Sequence, residues 1–94
     1  MAESIPVYET KTGLQMRTEI LNAIHQERLR QEVIHPKKLD LAMRYVTLGE
    51  EHGEVGKAIQ DNDMSNLFIE LIQNAAVCVR MAEDVLKITK SQEG

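Results

Sequence analysis

The chain has 94 residues and a formal charge of −4, and 43% of its residues are hydrophobic, with no Trp, one Phe and two Tyr. A chain this short holds one domain with a limited core, and the scarcity of aromatics leaves packing to Leu, Ile, Val, Ala and Met, which favours helices packed on helices. The acidic balance excludes a broad electrostatic footprint for a nucleic-acid duplex, and no apolar run approaches the roughly 20 residues that span a bilayer.

Residues 1–13 contain Pro6 and Gly13 among mixed polar residues without periodicity, and no apolar core flanked by basic residues. They are expected to be an N-terminal arm, and the protein is expected to be cytoplasmic, with no membrane partner. A helical domain is expected over residues 14–89. Its first helix begins at Leu14, with Met16, Ile20, Ala23, Ile24, Glu27, Gln31 and Ile34 on one broad face, and ends at His35-Pro36, because the residue before proline disfavours helical angles. Glu27 and Gln31 interrupt that face, so hydrogen bonds or ion pairs must satisfy them. Lys37, Lys38 and Arg44 form a small basic group whose ordinary reading is solvation and whose functional alternative is contact with phosphate oxygens.

The second helix is expected over Leu39 to Gln60, with Leu41, Leu48, Val55 and Ile59 on a narrow apolar arc and Tyr45 and His52 beside it. Gly49, Gly53 and Gly56 each cost a helix up to about 1 kcal/mol relative to Ala, so close approach of another helix or a ligand is expected there. Asp61-Asn62-Asp63 breaks the pattern, with Asp63 or Ser65 as the next cap. The third helix, about Ser65 to Thr89, is apolar over more than half its circumference: Leu67, Leu71, Cys78, Ala82 and Val85 share one stripe, with Phe68, Ile72, Ala75, Val79 and Leu86 beside it. One neighbour cannot cover so much. The fold class is therefore all-α, three main helices per chain completed as four-helix bundles by oligomerisation, a homo-oligomer that is a dimer or a tetramer. Cys78 is alone, which rules out an intrachain disulfide, and its apolar setting reads as a buried, inert thiol. Residues 90–94 should form a frayed tail.

Three carboxylates stand beside or within the apolar stripes: Glu51 and Glu54 on the second helix and Glu70 on the third. A buried unpaired carboxylate is costly, so such groups must be paired, protonated or bound to a cation. Glutamates at i and i+3 point the same way and can grip one ion or two adjacent ones, with Glu70 closing the site from the facing helix. Lys57 and Arg80 are the basic residues able to pair with these glutamates or to steady a phosphate.

The run Leu48-Gly49-Glu50-Glu51-His52-Gly53-Glu54-Val55, followed by Ile69-Glu70-Leu71-Ile72-Gln73-Asn74, resembles the MazG-like all-α nucleoside triphosphate pyrophosphohydrolases, whose pattern is E-x-x-E, a gap, then E-x-x-D. The likeness covers about residues 27 to 86 and includes the Glu27-Arg28-Leu29-Arg30-Gln31 run. It implies an Mg²⁺-dependent enzyme, or one using Mn²⁺ in its place, that converts a nucleoside triphosphate to the monophosphate and pyrophosphate. By that resemblance Glu51, Glu54, Glu70 and Gln73 are the candidate metal ligands; Asn74, one turn after Glu70, offers another oxygen, Glu50 is a spare carboxylate that could activate water, and Lys57 or Arg80 is the candidate for the substrate phosphates. Gln73 stands where the family has Asp. Its carbonyl can still serve a hard cation, but with one charge fewer, so the alternative is a catalytically inactive helical oligomer of the same kind that binds a nucleotide or a protein.

Overall fold

The structure is a computed structural model and describes residues 7–93. They form three helices, α1 (Val7–Ile34), α2 (Leu41–Gln60) and α3 (Met64–Glu93), with no strand among the described residues. Helix α1 begins seven residues before the expected Leu14, so residues 7–13 of the expected arm are helical, and residues 1–6 of it lie outside the described residues. Residues 90–93 of the expected tail continue α3. The end of α1 falls where Pro36 requires it: the last turn closes with His35 N donating to Gln31 O at 2.8 Å.

Side-chain caps fix the other boundaries. Asp40 has extended backbone angles and accepts from Met43 N at 2.8 Å, so α2 starts at Leu41 and not at Leu39. Asp61 closes α2, and Asn62 takes a left-handed φ of 52°, which Asn tolerates better than most residues. Asp63 then accepts from Asn66 N at 3.1 Å and opens α3, which makes it the cap in preference to Ser65.

Helix α3 is the spine. Both α1 and α2 pack on it, and among the described residues they do not pack on each other. The buried apolar core is accordingly small, consisting of Ala58, Ala76 and Val77 among the described residues. The radius of gyration is 16.8 Å, against about 12 Å for a compact chain of this length. The polar groups on the α1 face are satisfied as their interruption of it requires. Gln31 donates to Glu27 Oε2 at 3.1 Å and to Gln73 O, across the α1–α3 contact, at 3.4 Å. Arg28 ties the same two helices together, its Nη2 lying 2.6 Å from Glu83 Oε1 and 2.7 Å from Glu32 Oε1.

Much of the expected apolar surface has no cover among the described residues. The α3 stripe through Leu71, Cys78, Ala82 and Val85 is exposed, so Cys78 is an exposed thiol and not a buried one. The uncovered positions Met64, Phe68, Leu71, Cys78, Ala82 and Val85, with half-buried Ala75, follow one another at alternating spacings of four and three residues. That spacing makes a single seam along a helix. Phe68 and Leu71 are 50% and 49% exposed, and Tyr45, His52 and Ile59 on α2 are exposed as well. A Cβ added at Gly49, Gly53 or Gly56 would meet nothing within 4 Å, so the described residues supply none of the close approach expected at these glycines. No helix among the described residues is long and apolar enough to cross a membrane.

Candidate functional site

Because α1 and α2 diverge from a shared contact with α3, a cleft of about 430 Å³ opens between them, within the range of small-molecule sites. Glu27, Gln31 and Ile34 line it from α1, Lys37 from the connection, Arg44 and Glu51 from α2, and Gln73, Val77 and Arg80 from α3. Arg44 precedes Glu51 by seven residues and Gln73 precedes Arg80 by seven, two helical turns in each case. The cleft therefore has an acidic end at Glu51 and Gln73 and a basic end at Arg44 and Arg80, about 10 Å apart along the helices.

At the acidic end, Glu51 and Glu70 approach each other across the α2–α3 contact, with the Gln73 amide between them. With its nitrogen toward the carboxylates, Gln73 donates to Glu51 Oε2 at 3.3 Å and to Glu70 Oε1 at 3.2 Å. Turned the other way, the amide oxygen faces only acceptors. A side-chain amide takes whichever orientation its partners require. Burial pushes the Glu51 carboxyl above its usual 4.5, and the carboxylates of Glu70, then Glu54, Glu27 and Glu50, push it further. Glu27 moves the opposite way, held down chiefly by its hydrogen bond from Arg30, which grips both carboxylate oxygens at 2.8 Å.

The Asn74 amide nitrogen donates to the main-chain oxygens of Glu51 and Glu70, both at 2.9 Å. It fastens the two carboxylate-bearing turns of α2 and α3 to each other. Glu54 is exposed, and its charge is felt at Glu51. Among the described residues, however, no group of three or more His, Cys, Asp or Glu side chains is arranged to hold a metal ion. The convergent donors are therefore two carboxylates and one amide, not three carboxylates. Such a set still fits a hard, oxygen-preferring cation of the Mg²⁺ kind, which commonly takes one or two carboxylates and completes its shell with water and substrate oxygens.

Glu50 is exposed and does not line the cleft. Lys57 is turned toward the C-terminus of α2, its Nζ 2.9 Å from Asp61 Oδ2, and does not line the cleft either. Arg80 does line it, buried at 5% exposure, with Nη2 donating to His35 O at 2.9 Å at the end of α1. Arg44 is buried to 6% exposure, which overturns the reading of it as a solvated charge. One signal for Arg44 was present in the sequence: its two-turn offset from Glu51 puts both on the same side of α2.

Fold and cleft together define the class: a three-helix chain in which Glu51, one of a pair of carboxylates, and a buried basic pair face one groove, while Glu70, the other of the pair, lies outside its lining. Comparison with protein families, with curated proteins and with solved structures found no match for this chain.

Proposed function

We propose that this protein is a divalent-cation-dependent nucleoside triphosphate pyrophosphohydrolase that releases nucleoside monophosphate and pyrophosphate. The observation that carries the reading is the convergence of Glu51 and Glu70 on the Gln73 amide at 3.3 and 3.2 Å, at the end of a cleft that Glu51, Gln73 and Arg80 line. Glu51 and Glu70 would hold Mg²⁺, with Gln73 turned to offer its oxygen, and Asn74 would keep the two glutamates in register. The bound ion would supply neutralisation of phosphate charge and acidification of water. Arg80 would bind the far phosphates, fixing the triphosphate along the cleft. Water would attack phosphorus, the α–β anhydride bond would break, and an exposed carboxylate beside the site would take the proton. Glu54, one turn from Glu51, is better placed for this than Glu50.

A second copy of the chain would complete the fold. The uncovered seam of α3, with Phe68 and Leu71 half exposed, would pack against its counterpart to form a four-helix arrangement in a dimer or higher oligomer.

The Gln73 amide also favours a second reading, a non-catalytic member that binds nucleotide. Donating to both carboxylates, it already relieves part of the repulsion that a cation would otherwise relieve. A panel of nucleoside triphosphates with Mg²⁺, assayed for pyrophosphate with Glu70→Gln as control, separates the two. Release by the wild type that is lost in the variant supports the enzyme. Nucleotide binding without release supports the binder.

A further inference from the structure

We propose that the basic end of the cleft is a receptor for a tetrahedral oxyanion of the phosphate class, held by the guanidinium groups of Arg44 and Arg80 with Lys37 at its rim. Arg44 and Arg80 are 6% and 5% exposed, and both line the cleft and an adjoining hollow of mixed charge, to which Lys38 and Lys87 contribute on one side of the balance and Glu32, Asp40 and Asp84 on the other. Among the described residues Arg44 Nε has no hydrogen-bond partner, and the Arg44 hydrogen bond to Lys37 O is long at 3.5 Å. Arg44 takes part in no ion pair among the described residues. Burial, and after it the charge of Arg80, draw its pKa below the ordinary guanidinium value. Asp84 and Glu32 offset this in part, and Arg28 adds to it.

The same molecule shows what a structural arginine looks like. Arg28, nearly as buried, is gripped by Glu83 at 2.6 Å and Glu32 at 2.7 Å. Buried charges are ordinarily paired in this way. Arg44 has no such carboxylate, and the Arg80 contact to Glu32 is long, at 3.9 Å. Carboxylates stand near the two forks, Asp84 and Glu32 among them, but among the described residues none forms an ion pair with Arg44. An anion between the forks would supply the direct partner that is missing, and the planar guanidinium matches the oxygens of a phosphate. The lining of the cleft agrees, with basic Arg30, Lys37, Arg44 and Arg80 against acidic Glu27 and Glu51, in a chain whose formal charge is −4.

The receptor requires neither a divalent ion nor hydrolysis, so it is tested without either. The thermal midpoint of the full chain is followed in EDTA against inorganic pyrophosphate, inorganic phosphate and sodium chloride at matched ionic strength. The wild type is expected to rise saturably with pyrophosphate and not with chloride. Arg44→Met, which removes an unpartnered buried charge, is expected to start at a higher midpoint than the wild type and to lose the pyrophosphate response. Arg44→Lys keeps the charge without the fork and is expected to bind about tenfold more weakly or worse, which keeps the test decisive if the Met variant fails to fold. Lys57→Gln, which removes a cation outside the cleft, is expected to respond as the wild type does, and because the assay holds no divalent ion, failure of the cation reading leaves this result untouched. A nucleoside monophosphate run alongside distinguishes the source: affinity equal to that of phosphate points to the free anion, tighter affinity to a nucleotide, and either upholds the receptor. A wild type that does not distinguish pyrophosphate from chloride, or an Arg44 variant that responds like the wild type, overturns it.

Discussion

Replacing Glu51 by Gln should stabilise the cation-free protein at neutral pH. The Glu51 and Glu70 oxygens lie 3.3 and 3.2 Å from the same amide atom, so they are separated by at most about 6.5 Å, and two unit charges at that distance repel by about 0.6 kcal/mol in a water-like medium and about 2.5 kcal/mol at the effective dielectric of a partly buried site. Glu51 is only half-buried, so screening brings the expected gain toward about 1 kcal/mol, less a few tenths for the long hydrogen bond from Gln73. For a domain of this size that is a rise in midpoint of roughly 4–8 °C. The pH dependence follows from the direction of the shift. The Glu51 carboxyl is raised on folding, so its contribution to stability is fully present below the unfolded value near 4.5 and is lost as pH rises through the folded value. The advantage of Glu51→Gln should therefore vanish at about pH 4 and be complete at about pH 7. Urea and thermal melts in EDTA at both pH values, followed by circular dichroism, provide the assay. A variant less stable than the wild type at neutral pH would refute the electrostatic reasoning, because it would mean that Glu51 is already paired.

Gln73→Asp should lower stability without cations, by replacing a donor with a third acceptor, and should raise Mg²⁺ affinity in calorimetry; no change in either would place Gln73 outside the site. Arg28→Ala should cost about 1–2 kcal/mol in urea unfolding, because it removes the clasp between α1 and α3 while the solvent-facing Glu83 is only partly deprived; a neutral result would show that the clasp does not hold the helices. Leu71→Glu should convert an oligomer to monomer in light scattering and make Cys78 more reactive toward a thiol reagent. A wild type that is already monomeric would remove the second copy from the account.

The helices were legible because each has a face with helical periodicity and because Pro36 and the Asp61-Asn62-Asp63 run end them. The start of α1 was not, since residues 7–13 carry no apolar repeat to mark a buried face. Cys78 was misread for a related reason: an apolar stripe records that something should cover it, not whether the cover belongs to the same chain. At the site, the convergence of Glu51 and Glu70 could be anticipated from helical spacing. The Asn74 bridge to two main-chain oxygens and the burial of Arg44 depend on how far α1 and α2 diverge over α3, a tertiary quantity that no local pattern encodes. Glu83 as partner of Arg28 was missed on the same ground.

The central claim is that Glu51 and Glu70 share one divalent ion. Titration of the protein with Mn²⁺, followed by electron paramagnetic resonance, measures this directly: the account predicts one saturable site per chain that is displaced by Mg²⁺ and abolished in Glu70→Gln. Binding that is weak and unsaturable, or unchanged in that variant, would contradict it.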